Sequence, residues 1–308
     1  MIKRWLLGAL AVLVAAVVVV NLTVARLPST PPPRGKFLAV DGRNIHYIEQ
    51  PGHGTPVLML HGLPATLHDF DPVLAKLPGA HVFSIDRPGF GWSTGGWAPF
   101  QQQIDIVHTF LTQLHIGPAI VVGHSFGGSL ALGLARKYPH DVAYLVLLAA
   151  AAGGMRSFTQ DKVQARYVLF SHLPVIDPII RWTFGNIALR LSAYFGSRSA
   201  FTPEAVPADY THRLLAVTLK PANAESFARE QLEFDTTAQW LDDNAAQIRV
   251  PAVEIAARDD KLVPIAHARR LAETLPGLRL VTVDGNHMIP YTHPDVVAAE
   301  ITAAGQGR

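Results

Sequence analysis

Three side chains set far apart in the sequence could together perform nucleophilic chemistry: the alcohol of Ser125, the imidazole of His287 and the carboxylate of Asp260. A serine hydroxyl is a poor nucleophile at neutral pH. Acyl transfer therefore needs a base within hydrogen-bond reach and a third group that orients the base. Ser125 sits in Gly123-His124-Ser125-Phe126-Gly127-Gly128, between the β-branched run Ile120 to Val122 and the helical pattern Ser129 to Ala135. That arrangement reads as a buried parallel strand turning sharply into a helix. Such a turn strains its central residue, and glycine at 123 and 127 removes side chains that would collide there. The helix also aims its free N–H groups at the place where a negative oxygen would form during acyl transfer. The partners of such a serine should follow in the order acid, then histidine, each at the carboxyl end of a strand. Asp260 and His287 meet this test, since strand 252–257 runs into Arg258-Asp259-Asp260 and strand 278–283 into Asp284-Gly285-Asn286-His287. Asp259 lies on the same loop and competes for the acid role.

The elements that must hold these groups alternate along the chain. A hairpin turn is expected at Val40 to Asn44, giving the sheet an antiparallel edge. Strands are expected over 56–60, 81–85, 120–122, 142–148, 251–257 and 278–283, with helices near 67–77, 100–114, 129–135, 264–275 and 294–301 between them. Strand and helix alternating at this spacing imply an α/β fold, a mostly parallel sheet covered by helices on both faces. Ligands of such sheets bind outside the strands' carboxyl ends. From 153 to 249 the rhythm becomes helical and rich in aromatics, among them Phe158, Tyr167, Phe170, Trp182, Phe184, Tyr194, Phe195, Phe201, Phe227 and Trp240. This is read as a helical lid supplying an apolar substrate wall, although most of these rings would be its own core. The division expected is 37–152 and 250–308 for the core and 153–249 for the lid.

Composition narrows the possibilities. The chain has 308 residues, a formal charge of +2 and no long basic run, so nucleic acid is not an expected partner. It has no cysteine, which excludes disulfides, thiolate metal sites and a cysteine nucleophile. The other histidines lack metal-ligand spacing, and no metal or cofactor is expected. Trp5 to Val20 is uncharged and almost wholly apolar, follows Lys3 and Arg4, and extends to Ala25. Residues 1–25 are therefore expected to form a transmembrane anchor, with a cleaved signal peptide as the alternative. A proline-rich linker, 26–36, would follow. The expected placement is in the cytoplasmic membrane with the catalytic domain outside the cytoplasm, or secreted or periplasmic after cleavage.

Five motifs in order give a resemblance to the α/β-hydrolase fold superfamily, in particular its lidded serine hydrolases: His61-Gly62-Leu63-Pro64, Asp86-Arg87-Pro88-Gly89-Phe90-Gly91-Trp92-Ser93, the Ser125 elbow, Asp260-Lys261-Leu262-Val263-Pro264, and Asn286-His287. The likeness implies Ser125 as nucleophile, His287 as general base and then acid, and Asp260 as its orienter. It implies an oxyanion hole built from the backbone N–H groups of Leu63 and Phe126. The family's spacing to Val263-Pro264 selects Asp260 over Asp259, and His61, Asp86 and His124 are expected to shape loops. Ala257 and Asn286 stand where the family usually has glycine. Serine at the elbow argues against the related epoxide hydrolases and haloalkane dehalogenases, which use aspartate there. The reaction expected is hydrolysis of a carboxylic ester, apolar or lipid-like. C–C bond hydrolysis, perhydrolysis or amide cleavage by the same triad are alternatives, as is a membrane-tethered receptor without turnover.

Overall fold

The structure, a computed structural model, describes residues 2–24, 33–156, 186–208, 210–218 and 220–307, together with 162, 165, 166, 168 and 169. Eight strands form one sheet: β1 (Lys36–Val40), β2 (Arg43–Gln50), β3 (His53–Leu60), β4 (Ala80–Ile85), β5 (Ala119–His124), β6 (Val142–Leu148), β7 (Ala252–Ala257) and β8 (Leu278–Val283). Their spatial order is β1-β2-β4-β3-β5-β6-β7-β8. The first two pairings, β1 with β2 and β2 with β4, are antiparallel and every other pairing is parallel. The edge hairpin closes through Asp41 and Gly42, both at positive φ, the geometry whose twist matches that of paired strands.

Central strands buried on both faces explain the unbroken apolar runs of the sequence. Along β5, Ala119 and Val121 join one core cluster while Ile120 and Val122 join the other, because successive side chains point to opposite faces. Eight helices are labelled in chain order: α1 (Ile2–Val24), α2 (Phe100–Gln113), α3 (Phe126–Lys137), α4 (Asn186–Phe201), α5 (Tyr210–Thr218), α6 (Pro221–Asn244), α7 (Ile265–Thr274) and α8 (Pro294–Gly305). Ile104, Val107, Phe110 and Leu111 of α2, with Leu130 and Leu134 of α3, fill the first face, and Val297 and Ile301 of α8 the second. The helix expected near 67–77 is instead a 3-10 turn, Leu67–Phe70, followed by a single helical turn, Asp71–Leu74. Pro72 lies second in that turn, where its missing N–H leaves no helical bond unmade.

Among the described residues no strand lies between β6 and β7, and α4, α5 and α6 occupy that interval. The expected lid aromatics Phe158, Tyr167, Phe170, Trp182 and Phe184 lie outside the described residues, as does most of the 26–36 linker.

The transmembrane span expected over 1–25 is not supported. Among the described residues no helix is long and apolar enough to cross a membrane. The stretch is nonetheless helical, with Trp5, Leu6, Leu7 and Val12 all more than 60 % exposed.

Candidate active site

Ser125 holds φ 52° and ψ −119° between β5 and α3, a conformation a non-glycine residue keeps only when its surroundings impose it. They do. Its N–H donates to the Leu148 carbonyl at 2.9 Å, and its own carbonyl accepts from Gly128 at 2.9 Å and Ala151 at 3.0 Å. A Cβ at Gly127 would stand 2.0 Å from the Leu60 carbonyl oxygen, and one at Gly123 would stand 2.4 Å from that of Gly127. Glycine is thus required for the close approach of strand, turn and helix.

The carboxyl end of β7 delivers Asp260, which is buried, whereas its neighbour Asp259 is exposed. Asp260 Oδ1 accepts from the N–H groups of Leu262 and Val263, each at 2.8 Å, and Oδ2 accepts from His287 Nδ1 at 2.8 Å. Burial works to raise this carboxyl's pKa, but the His287 charge and hydrogen bond, with the two backbone donors, outweigh it and leave the pKa lowered. An ionised Asp260 fixes the imidazole with its proton on Nδ1 and leaves Nε2 as the basic nitrogen. Asn286, at the family's glycine position, is buried and fastens this loop to the lid. Its Nδ2 donates to the Phe201 carbonyl at 2.8 Å and to Glu204, and its Oδ1 accepts from the Met288 N–H at 2.7 Å. The His287 N–H itself donates to the Ala200 carbonyl at the end of α4.

Ser125 and His287 line the same cavity, about 580 Å³, with Gly62, Leu63, Phe126 and the lid residues Phe227 and Phe234 among its walls. Phe126 opens α3, so its N–H is among the first four that have no partner within a helix. The Gly62 carbonyl accepts from Arg87 Nη2 and from His61 Nδ1, both at 2.9 Å. The planar Gly62–Leu63 peptide therefore turns the Leu63 N–H to the opposite side.

His61 and Asp86 lie buried in loops, whereas His124 is the buried last residue of β5 and not a loop residue. His61 Nε2 accepts from the Arg87 N–H, and burial, with the Arg87 charge, lowers its pKa to about 3, so the ring is neutral. Asp86 accepts from His46 and from the N–H groups of Leu67 and Trp92. His124 Nε2 donates to the His287 carbonyl at 3.0 Å, and burial followed by the His287 charge lowers its pKa to about 3.

Sequence reasoning missed the group that ties these loops to the lid. The fully buried Arg87 guanidinium donates to the carbonyls of His61 and Gly62, to Gln103 of α2, and to both carboxylate oxygens of the equally buried Glu230 of α6, at 2.6 and 3.1 Å. It also stacks over Phe90 and Phe126. Arg87 stood inside a recognised motif, but its partner lay 143 residues on in a helix with no motif.

The family model described as alpha/beta hydrolase fold matches residues 55–294. The chain belongs to the α/β-hydrolase family. This hydrolase is 29% identical over 274 residues to a poly(3-hydroxyalkanoate) depolymerase of Ectopseudomonas oleovorans, across 85% of this chain and 89% of that one. It is 26% identical over 247 residues to a 2-hydroxy-6-oxononadienedioate/2-hydroxy-6-oxononatrienedioate hydrolase of Burkholderia vietnamiensis, across 77% and 81%. Its fold is similar to that of an esterase from Exiguobacterium antarcticum, with TM-score 0.75, 18% identity, and 89% and 100% of the two chains covered. Family and relatives make the chain an enzyme, a hydrolase.

Proposed function

We propose that this hydrolase cleaves a carboxylic ester through an acyl-enzyme on Ser125. His287 Nε2 takes the hydroxyl proton as Oγ attacks the ester carbonyl. The N–H groups of Leu63 and Phe126 hold the oxyanion, and His287 returns the proton to the departing alcohol as the C–O bond breaks. Water, activated by the same nitrogen, then releases the acid and restores Ser125. The observation that carries this reading is the 2.8 Å bond from His287 Nδ1 to buried Asp260, on a ring that lines one cavity with Ser125. Similarity to a depolymerase of a polyester supports ester chemistry. The apolar wall given by Phe227, Phe234 and Leu214 supports an apolar or lipid-like substrate.

We also propose attachment to the cytoplasmic membrane through α1, with the catalytic domain on the outer side. The exposed apolar side chains of Trp5, Leu6, Leu7 and Val12 support this, because a contiguous apolar surface of this kind needs a covering.

The reading is tested with p-nitrophenyl esters of graded chain length and a fluorophosphonate. Turnover with labelling at Ser125 is expected; inertness to both would overturn it, and faster cleavage of a vinylogous diketone would move it to C–C hydrolysis. For α1, recovery in the membrane fraction after alkaline extraction is expected, with the catalytic domain open to protease added outside spheroplasts. A domain that stayed protease-resistant would contradict the orientation.

A further inference from the structure

One carboxyl in the substrate cavity takes no part in the proposed chemistry. Asp69, on the 3-10 turn after the His61 loop, is 6 % exposed and lines the cavity beside Tyr210, Leu214 and Met288. Its Oδ2 has no hydrogen-bond partner among the described residues. A buried carboxyl oxygen left unpaired is costly to the folded protein and calls for an explanation, of which a ligand that supplies the missing partner is one. Tyr210, also buried, spends its hydroxyl on a long 3.9 Å contact with Met288 Sδ, a weak acceptor. One acceptor and one under-used hydroxyl thus face an otherwise apolar end of the cavity.

Resting on the ester-hydrolase reading, we propose that Asp69, with Tyr210, is a specificity subsite that accepts a hydrogen bond from a hydroxyl group of the ester substrate. A hydroxyl fits better than an ammonium because Arg213, whose positive charge reaches Asp69, would repel a second cation. Burial also raises the Asp69 pKa to about 7, so the site does not insist on a counter-ion. The hydroxyl could be carried by the acyl chain, as in a 3-hydroxyacyl ester, or by the alcohol, as in a monoester of glycerol. The chemistry at Asp69 is the same in both.

The test compares two matched pairs on the full chain: a p-nitrophenyl 3-hydroxyacyl ester with its deoxy analogue, and a monoacylglycerol with the methyl ester of the same acid. Wild type is expected to prefer the hydroxylated member of one pair by about tenfold or more in kcat/KM, since a site built to bind a hydroxyl discriminates against its absence. The pair that carries the preference identifies the source. Asp69→Leu should lower kcat/KM on that hydroxylated ester at least about tenfold more than on its plain partner, with Asp69→Asn and Tyr210→Phe between. Asp69→Leu should also raise the melting temperature, because it removes a buried unpaired group. Equal effects on both members, or no wild-type preference in either pair, would overturn the subsite while leaving the ester reading intact. Failure of wild type on all four esters, without fluorophosphonate labelling, would instead overturn the ester reading itself.

Discussion

The acid loop and the histidine loop leave adjacent strands, yet they are held in opposite ways. Asp260 is fixed within its own loop by Leu262 and Val263, backed by the sheet. The histidine loop is fixed from outside: the His287 N–H donates to the Ala200 carbonyl, and Asn286 donates to the Phe201 carbonyl and to Glu204, all within the interval between β6 and β7. The proposed nucleophile belongs with the proposed acid, since Ser125 is clamped by Leu148 and Ala151 of the core. The interval between β6 and β7 thus does more than wall the cavity, because the loop that bears the proposed base is hydrogen-bonded to it. The oxyanion loop has a similar dependence, through Arg87 and Glu230 of α6.

The sharpest break in this comparison comes on the core side. Asp260→Asn should keep the loop's shape but present the wrong imidazole tautomer, lowering kcat by about 10⁴, as steady-state ester kinetics would reveal. Glu230→Gln, on the lid side, leaves the Arg87 guanidinium buried without its counter-charge. It should destabilise the protein by about 3–5 kcal/mol in urea unfolding.

Glu254 of β7 sharpens the comparison by pH. Burial raises its pKa to about 8, against an opposing hydrogen bond from Ala150, with the Asp260 charge adding to the rise. The folded state therefore holds a proton that the unfolded state has released, and this contribution to stability is full below the unfolded pKa and lost as pH rises through about 8. At about 1.4 kcal/mol per pH unit at most, Glu254→Gln should flatten the decline measured by unfolding between pH 5 and 8. The smallest effect is expected at Asn286. Asn286→Ala leaves the Met288 N–H and the Phe201 carbonyl without this partner, at about 1–3 kcal/mol. If the lid positions the base, kcat should fall about tenfold with KM little changed and its pH profile altered; a change in melting temperature alone would assign Asn286 a purely structural role.

The same division decides what could be read from the sequence. The sheet was legible because buried parallel strands are short apolar runs at regular spacing, and the elbow because its glycines are demanded by backbone contact. Asp260 and His287 were legible because chain order and strand ends locate them. The lid-borne supports were not. Arg87 to Glu230 and Asn286 to Phe201 span 143 and 85 residues, and Asp69 meets Tyr210 only in the cavity that both line; long-range pairing leaves no local period. The helix near 67–77 is shortened for a local reason, since Pro72 has no N–H to carry one ladder from the 3-10 turn that Thr66 caps into the turn Asp71–Leu74.

The central claim is covalent, and it is tested most directly by quenching the enzyme in acid during turnover of a p-nitrophenyl ester and mapping its peptides by mass spectrometry. An acyl group on the peptide bearing Ser125, absent from Ser125→Ala together with an activity loss of about 10⁶, is the expected result. Full esterase activity in Ser125→Ala, or an acyl group carried on another residue, would contradict it.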